Sequence, residues 1–262
     1  TSMAFLVGCS TTKKVPEGDF LLTKNSFTYL DNKAYSDELP DYVIQKPNKN
    51  SLLLFPIGLW FYNAANPKYD TILADYMTYP SEMRNQKLRD SLYLKHGHPE
   101  YVGKSLFKQR ILHNFGKTPV ILENNKTVSS ADNIRKRLVY RGFWDANVEY
   151  KEKKDSSAKK AKVEYKILHK EPTNIKEYYY NIPDQNIKNI YEAYLNKSIV
   201  KSNQILDQSN LEGEVRRITD LMREHGYYKF NNNNEEIYFT ADTLTSRKNV
   251  PLTLDIHKDS LD

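Results

Sequence analysis

Cys9 is the only cysteine in 262 residues, so the chain offers one sulfur nucleophile and no intrachain disulfide. His96, His98, Glu100 and His113 form the cluster best suited to binding a metal. His96-Gly97-His98 supplies two imidazoles, whereas a structural zinc site takes about four ligands. Gly103-Lys104-Ser105 resembles the tail of a phosphate-cradling loop. The leading Gly of such a loop belongs at position 98, which is His. There is no His-Glu-x-x-His and no Gly-x-Ser-x-Gly. Arg135-Lys136-Arg137 is basic, and on an amphipathic helix such a run is a solvated face rather than a nucleic-acid contact. These residues predict a chain that is not an enzyme, with no metal, no cofactor and no nucleic-acid partner. The alternative is a metal-dependent hydrolase built on His96, His98, Glu100 and His113, and zinc content separates the two.

Composition permits an ordinary core, with 39% apolar and 12% aromatic residues. Net charge is +6 and the pI about 9.0, which suits a surface near anionic lipid or nucleic acid, and many soluble domains carry as much. Tyr is abundant at 20 and Gly sparse at 9, a balance that fits half-buried sheets. No run reaches the roughly 18 apolar residues of a spanning helix. Leu52–Tyr62 comes closest, but Pro56 and Gly58 interrupt it. That run is expected to pack against its own domain or a partner; a lipid-binding role for it is a further alternative.

The elements that would position these groups recur. Ser129 and Ser130 offer an N-cap, and Ala131, Ile134 and Leu138 share one helical face. Gly142 ends that helix and Phe143 follows at once. A strand at Ala146–Lys151 comes next, then a polar turn, then a strand at Lys162–His169 that alternates apolar and polar residues. The same grammar returns in Leu211, Val215, Ile218 and Met222, in Gly226-Tyr227, and in strands at Glu235–Ala241 and Val250–His257. Gly142 and Gly226 stand 84 positions apart, longer than common solenoid periods. Each copy also has a lead-in. Ile175–Ile182 reads as a strand and Asp184 as the cap of a helix. In the first copy Phe20–Leu30 is the strand, and Ser36 starts a helix through Val43 that Pro47 closes. An insert spans about 48–118, with a helix predicted across Glu82–Leu94. The fold class is therefore α+β, two β-α-α-β-β copies of which the first carries the insert.

Leu6-Val7-Gly8-Cys9, after an apolar stretch, resembles the lipobox of bacterial lipoproteins. The resemblance implies cleavage before Cys9 and a thioether to diacylglycerol on its sulfur. Residues 1–8 are then a signal-peptide remnant and 9–18 a lipidated tether. The β-α-α-β-β order with a Gly-aromatic step, carried by Asn133–Val148 and by Val215–Tyr228, resembles POTRA domains of BamA/TamA-type outer-membrane assembly proteins. With the lipobox, and with Leu59-Trp60-Phe61-Tyr62-Asn63 in the insert, the chain is most similar to the lipidated TamA-like (TamL) proteins of Bacteroidetes. Residues 19–171 would be the first POTRA-like domain and 172–262 the second.

The resemblance implies small three-stranded mixed sheets, a continuation into a further POTRA domain and an outer-membrane β-barrel, and attachment to the membrane through lipid on Cys9. It also implies work in outer-membrane protein assembly or translocation, with client polypeptides or a TamB-like periplasmic partner. Its sheet order, first-third-second, makes the second strand of each copy an edge for β-augmentation. The residues concerned are Ala146, Asn147, Val148, Glu149, Tyr150 and Lys151, and Glu235, Glu236, Ile237, Tyr238, Phe239, Thr240 and Ala241. Glu149, Lys151, Glu235 and Glu236 are also the kind of charge that blunts an edge. Surface-displayed lipoproteins of Bacteroidetes tend to carry acidic residues soon after the cysteine. Ser10–Val15 has none, so the domains are expected to face the periplasm. Gly142-Phe143 and Gly226-Tyr227 are expected to be structural turns at positive φ, each acting locally on its own copy.

Overall fold

The computed structural model describes residues 11–49, 56–68, 104–231, 236–244 and 246–257. Cys9, Leu52–Phe55, the segment predicted as a helix at Glu82–Leu94, His96, His98, Glu100, Gly103 and Glu235 lie outside them. The chain divides into two compact units. One comprises Thr1–Ser26, Gln45–Thr127 and Lys151–Glu164, the other Phe27–Ile44, Val128–Tyr150 and Tyr165–Asp262.

The described strands form two three-stranded sheets. The first has β1 (Leu21–Tyr29), β2 (Asn147–Asp155) and β3 (Lys160–Leu168) in the order β1-β3-β2. The second has β4 (Asn174–Asn181), β5 (Ile237–Ala241) and β6 (Asn249–Ile256) in the order β4-β6-β5. In the second sheet β4 runs parallel to β6 and β5 antiparallel to it. The order in each is first-third-second, and the fold is α+β with two small mixed sheets.

The central strands follow from period-2 alternation. Ala161, Val163, Tyr165 and Ile167 are buried on β3, and Val250, Leu252, Leu254 and Ile256 on β6. Burying each large aliphatic side chain contributes about 1.5–3 kcal/mol. In the second copy α4 (Gln185–Ala193) and α5 (Gln208–Glu224) cover the sheet. Ile187, Tyr191, Ile218 and Met222 pack there on Ile237, Leu254 and Ile256. Asp184 caps α4 as expected, accepting the N–H groups of Asn186 and Ile187 at 2.8 and 3.1 Å.

The first copy departs from its sequence reading in two places. The helix expected from Ser36 through Val43 is a four-residue 3-10 turn at Leu39–Tyr42. Pro40 at its start supplies no N–H, and Tyr35 just before it has a positive φ of 57°. The following helix, α3 (Asn124–Tyr140), begins well before Ser129. Ser130 is no N-cap: it is fully buried, and its Oγ accepts the Ile44 N–H at 3.0 Å.

The described parts of the insert include α1 (Ile57–Ala64) and α2 (Lys104–Phe115). Leu59 on α1 is buried with Val15, Leu21 and Ile121. Lys14 Nζ donates to the carbonyls of Tyr62 and Ala65 at 2.6 and 2.9 Å, placing a cation on the C-terminal end of α1. Burial, and then Lys13, lower the Lys14 pKa. Among the described residues no helix is long and apolar enough to cross a membrane.

Candidate functional site

Each sheet has two outer strands, but they are not equally open. The outer side of β1 is bonded by a connecting segment: Leu22 N–H donates to Val120 O and Leu122 N–H to Phe20 O. The outer side of β4 is bonded in the same way, Ile175 N–H to Gln204 O and Asn203 N–H to Ile175 O. Among the described residues that leaves β2 and β5 as the strands whose outer edge matters for main-chain recognition.

These two edges carry different chemistry. Along β2, Val148 and Glu152 are half-buried and the other residues, Tyr150 among them, are exposed. Glu149, Lys151, Glu152, Lys153, Lys154 and Asp155 make the strand heavily charged, the usual way of guarding an edge. Ala146 is buried and precedes the strand. By contrast β5, Ile-Tyr-Phe-Thr-Ala, carries no charge. Glu236 stands in the turn before β5, where its carboxylate accepts the Asn231 N–H at 2.8 Å. The register pairs Tyr238 with Asp255 and Thr240 with Thr253. With His257 N–H donating to Glu236 O and Asp242 N–H to Pro251 O, the alternation turns the main chain of Ile237, Phe239 and Ala241 away from β6.

Beside β5 lies a cavity of about 830 Å³. One wall is α5, through Leu211, Glu212, Val215 and Arg216; Ile237, Tyr238 and Phe239 form another; Val139, Tyr140 and Trp144 contribute from the end of α3 and the turn after it. Tyr140 Oη donates to Glu212 Oε2 at 2.8 Å across it. Burial and then Glu212 raise the Tyr140 pKa, so the phenol stays protonated. The arrangement suits an extended segment: a strand edge for its main chain, apolar side chains such as Leu211, Val215 and Trp144 beside polar ones for its alternate side chains, and Arg216 at hand for a carboxylate.

The turns that deliver β2 and β5 are built alike. Gly142 and Gly226 have φ of 93° and 96°, as their place after a helix demands. Phe143 N–H donates to Leu138 O at 2.9 Å and Gly142 N–H to Val139 O at 3.0 Å. Tyr227 N–H to Met222 O and Gly226 N–H to Arg223 O, at 3.0 and 3.2 Å, repeat the pattern.

Sequence reasoning passed over the ionic cluster behind Gly142. Arg141 Nη2 lies 3.0 Å from Glu38 Oε2, and its Nη1 3.1 Å from Asp207 Oδ2 and 2.9 Å from Ser209 Oγ. Arg137 adds a second guanidinium 2.9 Å from Glu38 Oε2. The Arg141 hydrogen bond lowers the Glu38 pKa to about 2, with Arg137 assisting against the cost of burial. Nothing in Arg135-Lys136-Arg137 alone signals this, because the partners come from positions 38 and 207. Glu214, also passed over, is fully buried: it accepts the Ile199 N–H at 3.0 Å and Arg217 at 2.6 and 3.0 Å. The 84-residue offset could have found it, since it stands at the counterpart of Ser130. Of the proposed metal cluster, only His113, on α2, lies among the described residues. Within those residues no group of three His, Cys, Asp or Glu could hold a metal.

No protein-family model matches the sequence, and no curated protein does. Solved structures similar to the chain include BamA POTRA3-5 from Haemophilus influenzae, at 10% identity and a TM-score of 0.31, covering 94% of this chain and 100% of that one. POTRA1-3 of Omp85 from Anabaena matches at 11% identity and 0.27, covering 94% and 98%. BamA from Haemophilus ducreyi lacking POTRA domains 1-3 matches at 12% identity and 0.33, covering 58% of this chain. The chain spans only 26% of that protein's length. All three TM-scores are below 0.5, so the fold assignment rests on the two strand orders.

Proposed function

We propose that the chain is a POTRA region, residues 19–171 and 172–262, of an outer-membrane assembly protein, and that its second copy binds extended client polypeptides by adding a strand to β5. The observation that carries this reading is the contrast between the edges. β5 is uncharged, turns three residues' main-chain groups outward and borders a cavity of mixed polar and apolar lining, whereas β2 is charged along its length. Main-chain pairing gives affinity with little sequence preference, which suits a protein that handles many clients. A peptide of about ten alternating apolar and polar residues, the pattern of a barrel strand, is the natural probe. Ala241→Pro removes one outward N–H and should weaken its binding about tenfold, the worth of roughly one main-chain bond. Thr240→Lys, which gives β5 the charge of β2, should weaken it as well. Unchanged affinity in both variants would overturn the site.

The lipobox resemblance supports attachment to the outer membrane through lipid on Cys9, with the domains facing the periplasm. A diacylglycerol plus an amide-linked acyl chain exceeds the single chain that gives only marginal binding. Cys9→Ala should accumulate as an unprocessed, unlipidated precursor, and normal processing of that variant would contradict the anchor. Protease added to intact cells should leave the domains uncut; rapid loss would move them to the outer face. Continuation into a β-barrel and a TamB-like periplasmic partner belong to the same reading. Sequencing the gene beyond Asp262 tests the first, and co-purification from crosslinked cells the second.

A further inference from the structure

The insert carries aromatic side chains that its own core does not use. On α1, Leu59 turns inward onto Val15 and Leu21, while Trp60 beside it is 39% exposed. The Trp60 ring centroid lies 5.3 Å from that of Phe61, and the Phe61 centroid 6.3 Å from that of Phe115 at the end of α2, a residue 63% exposed. Three rings thus form one strip across two helices. Apolar residues scattered singly over a surface need no explanation, but a contiguous exposed strip marks an interaction site.

Basic residues border the strip. Ala64, one turn on from Trp60 on the same side of α1, is exposed and lines a cavity of about 460 Å³ with Lys13 and Lys68. Lys117 lies along the start of α1, its N–H donating to Gly58 O at 2.9 Å. All three lysines are exposed, and among the described residues none pairs with a carboxylate. The described parts of the insert, residues 56–68 and 104–118, contain no Asp or Glu. Such a face is complementary to an anionic surface that also accepts aromatic rings.

The chain before α1 selects that surface. Asn63 Nδ2 donates to Thr11 O at 3.2 Å, and Lys14 Nζ to the carbonyls of Tyr62 and Ala65, so the tether is fastened to the C-terminal end of α1. Cys9 stands two residues before Thr11, and two residues span at most about 7 Å. A lipid on Cys9 therefore brings this end of α1 to the headgroups, within the roughly 5–10 Å over which interfacial helices bury their apolar face.

We propose that α1 and the end of α2 form a membrane-docking face. Trp60, Phe61 and Phe115 enter the headgroup region of the bilayer that holds the Cys9 lipid, and Lys13, Lys68 and Lys117 meet its anionic phosphates. Aromatic rings suit that depth, and each lysine gains from the negative surface potential. The depth of the face rests on the lipid anchor proposed above; its aromatic and basic pattern does not. A second contact beside the lipid holds the insert against the bilayer instead of leaving it to swing on the tether.

Vesicle flotation tests it on the full chain carrying Cys9→Ala, which bears no lipid. Vesicles of phosphatidylcholine and phosphatidylglycerol, three to one, should carry the chain, and pure phosphatidylcholine should bind it about tenfold more weakly. With Trp144→Phe added, Trp60 is the sole tryptophan, and its emission should shift to the blue on the mixed vesicles. Trp60→Ser and Phe115→Ser should each weaken binding about tenfold, and Lys13→Gln and Lys68→Gln about fivefold each. Circular dichroism confirms that each variant is folded. The proposal is overturned by no flotation on the mixed vesicles, or by flotation that all four substitutions leave unchanged, which would trace it to the apolar residues 3–7. An unshifted Trp60 also overturns it and would assign the strip to a protein partner. Because this chain has no lipid, those failures leave the anchor untouched. Normal processing of Cys9→Ala in cells would remove the anchor without changing the vesicle result.

Discussion

Gly142 and Gly226 end equivalent helices with the same pair of main-chain bonds, yet they sit in different surroundings. A Cβ on Gly142 would meet Ile205 Cγ2 at 2.6 Å and Leu206 O at 2.8 Å; among the described residues one on Gly226 would meet nothing within 4 Å. One glycine is required twice over, by its φ and by the copy packed on it; the other is required only by its φ. The same backbone element lies against the second copy at Gly142 and meets no other described residue at Gly226. This packing leads us to propose that a substitution at Gly142, unlike one at Gly226, reaches beyond its own copy.

Substitution widens the contrast. Gly142→Val combines left-handed strain of about 1–3 kcal/mol with overpacking of about 1–3 kcal/mol, so a loss of roughly 2–6 kcal/mol is expected. Because Leu206 is backbone to the second copy, amide exchange should accelerate in β4 and β6 as well as in β2. Gly226→Val carries the strain alone, roughly 1–3 kcal/mol, and should spare β1 and β3. Equal losses in denaturant unfolding, with equal spread, would remove the distinction.

The buried pair at positions 130 and 214 extends the comparison. Both side chains receive a backbone N–H from the segment after the first helix, Ile44 in one copy and Ile199 in the other. Glu214→Ala strands the Arg217 guanidinium as well and should cost roughly 3–5 kcal/mol. Ser130→Ala removes the neutral bond to Ile44 and should cost about 1 kcal/mol. Chemical denaturation of the two variants decides it, and a Ser130 variant as damaging as the Glu214 one would contradict the equivalence.

Acid should loosen the ionic cluster behind Gly142. Glu38 is held near a pKa of about 2 against an ordinary 4.5, first by the Arg141 hydrogen bond. Asp31 is also low, at about 2 against 3.8: burial opposes its charge, but N–H donors from His169, Asn32 and Lys170 outweigh it. Both folded values are depressed, so their stabilisation is complete above about pH 4.5 and is lost as pH falls toward 2. Melting temperature followed from pH 5 to pH 2 should drop, and Glu38→Gln should start lower at neutral pH and drop less. An identical slope in that variant would show that Glu38 is not the titrating group.

Much of the frame was legible before any coordinates. Period-2 alternation located the central strands because both are buried on one face, and a glycine followed by an aromatic marked two helix ends because only glycine adopts that φ cheaply. The turn at Leu39–Tyr42 was misread as a helix because apolar spacing outweighed Pro40. The helix beginning at Asn124 was placed too late because Ser130, a good cap by type, is spent on a tertiary bond to Ile44. Of the candidate edges, sequence named both strands but could not rank them. Glu236 looked like an edge charge until its bond to Asn231 placed it in the turn. The Arg141 cluster was invisible because its carboxylates come from positions 38 and 207, and only the fold brings them together.

The most direct measurement of the central claim is amide hydrogen exchange of the full chain with and without a saturating barrel-strand peptide. Strand addition at β5 predicts new protection at Ile237, Phe239 and Ala241, whose N–H groups face outward, little change at Tyr238 and Thr240, already bonded to β6, and none along Asn147–Asp155. Protection appearing on β2 instead, or no alternation along β5, would contradict it.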